Sequence, residues 1–262
     1  MKKSILFLTL VFFLASTGLA TAGGVLKFAT EGAYPPFNYV KANGTPAGFD
    51  VDIIHALAKE MGLGKADYKV VIQDWDGMIP GLLAKKFDVM VASMSITKER
   101  KKAVAFTNPY YYETGSFLKK KGSNLKISRK GLKGKTIGTQ TATIWGKYLE
   151  GVYGDIVKIK YYNSTQDHNL DLKAGRLDAA LANSFVMVKW LQTDKGQGFE
   201  IVGKPVSDKK YIGEGIGIAV HKGDKKLLQE LNAALAKIIR NGLHRKLARK
   251  YFPIDIYPYK NK

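Results

Sequence analysis

The sequence predicts an α/β fold in two lobes with a cleft between them, and three observations carry that prediction. Short apolar runs alternate with helix-period segments, the series restarts at Gly134, and one ten-residue unit occurs twice. Alternation of strand and helix specifies layers around a mostly parallel sheet, and a restarted series specifies a second such layer.

The elements follow in order. VLKFAT reads as a strand, FDVDIIHALAKEMG as an amphipathic helix, YKVVI as a strand, GMIPGLLAKK as a helix and FDVMVASM as a strand. From Gly134 the order resumes with KTIGTQ, ATIWGKYLE, IVKIKYY, STQDHNLDLKAG and RLDAALAN. The C-terminal part predicts two helices: LLQELNAALAKIIR, capped by Asp224 and left through Gly242, then LHRKLARKYF up to Pro253.

The repeated unit sets Ala84 to Ser93, AKKFDVMVAS, over Ala174 to Asn183, AGRLDAALAN, without a gap. Helix end, basic residue, apolar residue, Asp and strand correspond, so Ser93 and Asn183 hold equivalent places just past the carboxyl end of a strand. Ligands of open α/β sheets bind at that edge. Similar helix-turn-strand units also arise in unrelated α/β proteins, and ten positions leave that reading open.

Residues 1–22 have a basic start, an apolar stretch and the ending Ala20-Thr21-Ala22, which predicts a secretory leader cut after Ala22. The mature chain then has 262 − 22 = 240 residues, enough for two lobes with their own cores. No later apolar run is long enough to span a bilayer, and there is no Cys to carry a lipid or a disulfide, so a soluble periplasmic protein is expected. The formal charge of +20 falls to +18 without Lys2 and Lys3. That surplus is spread along the chain without a basic tail, zinc pattern or aromatic RNA motif, so no nucleic-acid partner is expected.

Four loops hold the candidate chemistry. In ASMSITKER, Ser93 and Ser95 are two apart, so an extended segment turns both hydroxyls one way. Thr97 can cap a short helix that carries Arg100 in its first turn, where a guanidinium beside hydroxyls can take a carboxylate in bidentate fashion. Capping serines and a solvated KERKK run fit the same letters. Thr139-Gln140-Thr141-Ala142-Thr143 leads from strand KTIG into a helix whose free N-H groups can accept an anion, and ordinary N-capping fits it too. Glu31 and Tyr34 leave the first strand in TEGAYPPF, and Trp75 lies in QDWDGMIP; aromatic faces there can flank a cationic group with Glu31 as its counter-charge, or simply lid the core. No Cys nucleophile and no GxSxG is present, and His55, His168, His221 and His244 lack metal-ligand spacing, so no catalytic residue, metal or cofactor is assigned.

Together these loops resemble the bacterial periplasmic solute-binding proteins that serve polar and basic amino acid ABC importers, solute-binding protein family 3. ATEGAYPPFNY, GTPAGFDVDIIHALA, QDWDGMIPGL, FDVMVASMSITKERKKAVAFTNPYY, LKGKTIGTQ, LKAGRLDAALA, GEGIGIAV and RKYF occur in the family's order. The resemblance implies a type II periplasmic binding protein with its ligand cleft between lobes. Lobe 1 would comprise residues 24–112 and 208–262, and lobe 2 residues 113–207. It also implies a small-molecule ligand, an inner-membrane permease as partner, and a monomer, since each lobe has to reach the permease.

Residue by residue, the resemblance gives Arg100 the ligand's α-carboxylate, helped by Ser93, Ser95 and Thr143, with Gln140 in the same loop. Tyr34 and Trp75 match the aromatic positions flanking the ligand side chain. Glu31 matches the acidic position that meets a cationic end. Asn183 stands where most amino acid binders have an Asp for the α-ammonium, and that segment resembles octopine-binding relatives. The resemblance therefore implies arginine, lysine, ornithine or histidine, with an opine-like derivative as competitor. A cyclohexadienyl dehydratase-like enzyme on the same scaffold is the alternative, with Glu31 its only candidate acid or base.

Overall fold

A computed structural model describes residues 24–259; the predicted leader lies outside them. In chain order the first elements are β1 (Leu26–Thr30), the short strands β2 (Ala33–Tyr34), β3 (Asn38–Val40) and β4 (Pro46–Ala47), then α1 (Phe49–Glu60) and β5 (Tyr68–Ile72). They are followed by α2 (Met78–Leu83), β6 (Val89–Ser95), α3 (Lys98–Ala103) and β7 (Val104–Phe106). Next come β8 (Gly115–Lys120), α4 (Arg129–Leu132), β9 (Thr136–Gln140), α5 (Ile144–Tyr153), β10 (Lys158–Tyr162) and α6 (Thr165–Lys173). The chain continues through β11 (Ala179–Asn183), α7 (Ser184–Leu191), β12 (Phe199–Val206), α8 (Lys209–Ile212), β13 (Ile216–His221), α9 (Lys225–Arg240) and α10 (Leu243–Ala248).

These strands form two five-stranded sheets, ordered β5-β1-β6-β13-β7 and β10-β9-β11-β8-β12, while β2, β3 and β4 make a small sheet of their own. The chain leaves the first sheet after β7 and returns to it at β13, so β13 pairs antiparallel with a strand over a hundred residues earlier. Three parallel strands sit at one side of each sheet because a strand-helix-strand unit has to cross over before pairing.

Each sheet has its own core. On the first, α1 turns Phe49, Ile53, Ile54 and Leu57 onto Phe28 and Val91, while α9 adds Leu231, Leu235 and Ile238 at helical spacing. On the second, Phe117, Ile137, Leu149, Leu172 and Leu181 pack together. A fully buried aliphatic or aromatic side chain contributes about 1.5 to 3 kcal/mol, so each cluster is large enough to hold its sheet and helices in place. The cores are what allow the strand ends to project polar groups rigidly. Among the described residues no helix is long and apolar enough to cross a membrane.

The repeated unit is the same structure twice. Asp88 Oδ2 accepts the N-H of Lys27 at 2.8 Å, and Asp178 Oδ2 accepts that of Thr136 at 2.9 Å. Phe28 and Ala29 pair with Val89 and Met90, as Ile137 and Gly138 pair with Ala179 and Ala180. One sequence expectation is corrected: Asp224 occupies the N-cap of α9, but its side chain makes no cap hydrogen bond, and the backbone there sits at φ −89°, ψ 53°.

Candidate functional site

β1, β6 and β9 end at the same cleft, which is lined by Glu31, Tyr34, Trp75, Ser93, Ser95 and Arg100 from one side and by Gln140, Thr143, Ile144 and Trp145 from the other. Glu113 lines it as well, from the stretch that crosses between the sheets. Asn183 is buried beside them and bonds to Glu113. All nine sequence-nominated residues are thus brought to one place, and Glu113 is a residue that the sequence reading missed. It sits in YYYETGS, where no strand or helix pattern gives its side chain a direction.

Arg100 is set as its local sequence dictates. Thr97 Oγ1 accepts the Arg100 N-H at 3.2 Å, which caps α3 and places the guanidinium over the cleft. Nη1 donates to the Ser95 carbonyl and Nη2 to the Ala142 carbonyl, both at 3.0 Å, and the guanidinium carbon stacks 5.4 Å from the Trp75 ring centre. Two of the five guanidinium donors are used, leaving three to meet an anion. Burial lowers its pKa to about 10, so it stays charged at neutral pH.

The serines do something other than the spacing suggested. Ser93 has a positive φ of 54°, and the register against β13 shifts there, so β6 bulges. Its hydroxyl donates to Asp50 Oδ2 at 2.8 Å and its N-H to the Tyr110 hydroxyl at 3.2 Å. Ser95 donates to Glu113 Oε1 at 2.9 Å. Both hydroxyls donate to carboxylates, and the bulge at Ser93 breaks the simple two-residue alternation on which the expectation of two hydroxyls facing one way rested. Asp50 is a separate matter: Asn38, Ser93 and Tyr110 all donate to it, and it fixes the bulge from beneath.

Across the cleft, Gln140 Nε2 donates to Glu31 Oε1 at 2.6 Å and to the Asn163 carbonyl at 2.9 Å. Thr143 donates to the Gln140 carbonyl at 2.7 Å and accepts from Gly146 N, so it caps α5. Ala142, the residue whose carbonyl meets Arg100, has φ 54° as well. A left-handed residue therefore stands on each side of the cleft, an energetically costly conformation that clusters at binding sites. Burial pushes the pKa of Glu31 up to about 7 against the lowering effect of the Gln140 bond, and burial likewise raises Glu113 to about 7 despite bonds from Asn183 and Ser95.

Two lobes closing a charged, aromatic-walled cleft at the carboxyl ends of their strands define a type II periplasmic binding protein. A model of the bacterial extracellular solute-binding proteins, family 3, matches residues 26–254, and the chain belongs to that family. It is 41% identical over 259 residues to the L-arginine-binding protein of Pseudomonas aeruginosa, covering 98% of this chain and 99% of that one. It is 34% identical over 262 residues to the lysine/arginine/ornithine-binding periplasmic protein of Escherichia coli, covering 98% and 99%. Among solved structures, an ancestral arginine-binding protein bound to arginine matches with a TM-score of 0.80 at 35% identity, over 88% of this chain and 99% of that one.

Proposed function

We propose that the chain is the periplasmic substrate-binding component of an ABC importer, that it takes a basic amino acid by closing residues 24–112 and 208–262 onto residues 113–207, and that it catalyses nothing. The observation that carries the proposal is Glu31. Glu31 is only 6% exposed, lies in the cleft beside Tyr34 and Trp75, accepts from the neutral Gln140 amide, and forms no ion pair among the described residues. A buried carboxylate without a counter-ion is expensive, and a guanidinium or ammonium supplied by the ligand compensates it. Arg100, with three free donors, supports the opposite end of the same ligand, its carboxylate.

The relatives named for arginine and for lysine, arginine and ornithine support the same class of ligand. The dehydratase alternative is not favoured, since those relatives are named as binding proteins. A thermal-shift screen of residues 23–262 against the twenty amino acids, ornithine, citrulline, octopine and nopaline tests the proposal. At about a hundredfold excess over Kd, a ligand of the folded state adds roughly 2.7 kcal/mol. Arginine, lysine, ornithine or histidine is expected to raise the Tm most. A response to the opines alone, or conversion of prephenate or arogenate to an aromatic product, would overturn it.

A further inference from the structure

The place that the family resemblance gives to the ligand's α-ammonium is held by Asn183, and its surroundings leave it unable to do that work. Its Oδ1 accepts from Phe185 N at 2.8 Å and from Val186 N at 3.4 Å, capping α7. With the oxygen turned to the helix, the amide nitrogen points the other way and donates to Glu113 Oε2. The side chain presents donors where an ammonium, itself only a donor, needs an acceptor.

Glu113 has what Asn183 lacks. One of its oxygens accepts from Ser95 and the other from Asn183. A carboxylate oxygen has two acceptor positions, so one remains on each. The residue is 9% exposed, it lines the cleft with Arg100, and it belongs to none of the ion pairs among the described residues. We propose that Glu113, aimed by Ser95 and Asn183, is the carboxylate that receives the α-ammonium of the bound amino acid, in place of an acidic residue at position 183.

The inference rests on the reading of the cleft as a basic amino acid site and sharpens it. Glu31, Glu113 and Arg100 carry two negative charges and one positive. A basic amino acid brings a cationic side chain, an α-ammonium and a carboxylate, so each charge meets its opposite. An opine adds a second carboxylate and leaves an anion without a counter-charge, which a buried site tolerates poorly. Glu113 therefore selects the primary amino acid over its N-carboxyalkyl derivatives, and the missing acid at 183 does not argue for an opine.

Titration calorimetry with arginine and with 5-guanidinopentanoate, the same molecule without its α-amino group, tests this on the wild type, Glu113→Gln and the double variant Glu113→Gln with Asn183→Asp. Glu113→Gln is expected to weaken arginine at least thirtyfold, the order found for losing one partner of a buried charge pair, and the deaminated compound by less than about threefold. The double variant is expected to recover arginine binding to within about tenfold of wild type, because the amide introduced at 113 donates to the carboxylate introduced at 183, which still caps α7. Arginine affinity unchanged in Glu113→Gln, or lost equally for both compounds, overturns the assignment while the wild type's binding of arginine keeps the basic amino acid reading. A wild type that binds no cationic amino acid overturns both. Where a melting curve shows Glu113→Gln unfolded, the double variant decides: arginine binding upholds the transfer of the charge, and its absence with a normal Tm overturns it.

Discussion

The two sheets are built on one plan and put to different uses. In each, an Asp bridges to the start of the first parallel strand, the same pairs of residues align, and the strand order runs second, first, third before an antiparallel strand. They part at the strand's end. β6 bulges at Ser93 and runs on to a capped turn carrying a cation, whereas β11 enters α7 directly, with Asn183 as its cap. The first sheet consequently supplies Arg100 and Glu31, and the second supplies the neutral Gln140, Thr143 and Asn183. A shared scaffold sets where a side chain begins, and the few residues after the strand set what it can bind.

That division predicts unequal costs. Arg100→Ala is expected to weaken ligand binding by about 2 to 5 kcal/mol without unfolding the chain, while Thr143→Val, which removes the cap of α5 and no charge, is expected to weaken binding by no more than about 1 kcal/mol. Titration of both variants with arginine checks the ratio. Equal losses would mean that the two sides grip the ligand alike.

The charged groups also give a pH dependence. Burial raises Glu31 and Glu113 from 4.5 to about 7, so folding increases their hold on a proton. Their stabilising contribution is in full below about pH 4.5 and is lost as pH rises through about 7. The unliganded Tm is therefore expected to fall from about pH 5 to about pH 8 by more in the wild type than in Glu31→Gln or Glu113→Gln. Arginine needs both groups ionised, so its affinity is expected to rise over the same window. Affinity that stays level from pH 5 to 8 would mean that the carboxylates do not meet the ligand's cations.

The smallest effect tests the repeat itself. Lys85 and Gly175 occupy equivalent places after α2 and α6, with φ of 55° and 75°, and in both the following N-H closes the turn onto a carbonyl five residues back. A side chain in that left-handed conformation costs roughly 1 kcal/mol where glycine costs little. Gly175→Lys is expected to lower stability by about 1 kcal/mol and Lys85→Gly to raise it by somewhat less, because glycine also loses more chain entropy on folding. Denaturant melts of the two variants check it; a large loss from Lys85→Gly would mean that the lysine side chain does more than end a helix.

Much of this was legible beforehand. The alternation of apolar runs specified the three parallel strands of each sheet, because strand and helix periods are local properties of the chain. It did not specify the antiparallel pairings of β7, β8, β12 and β13, which leave each sheet only half parallel against the expectation of a mostly parallel one. Thr97 three residues before Arg100 announced a cap, since that bond also lies within one turn. The alignment of Ser93 with Asn183 located the cleft, for it needed only the repeated helix-turn-strand pattern. What the amino-acid sequence determined by itself is therefore what depends on neighbours along the chain: the elements, the caps and the strand ends where a ligand can sit. The tertiary structure alone decided the partners. Ser93 turned to Asp50, 43 residues away, and Asn183 to Glu113, 70 residues away. Glu113 entered the cleft from a crossing segment with no periodicity to aim it. The free acceptors and the uncompensated charges belong to such distant pairs, and their directions exist only once both cores have packed and brought the strand ends face to face.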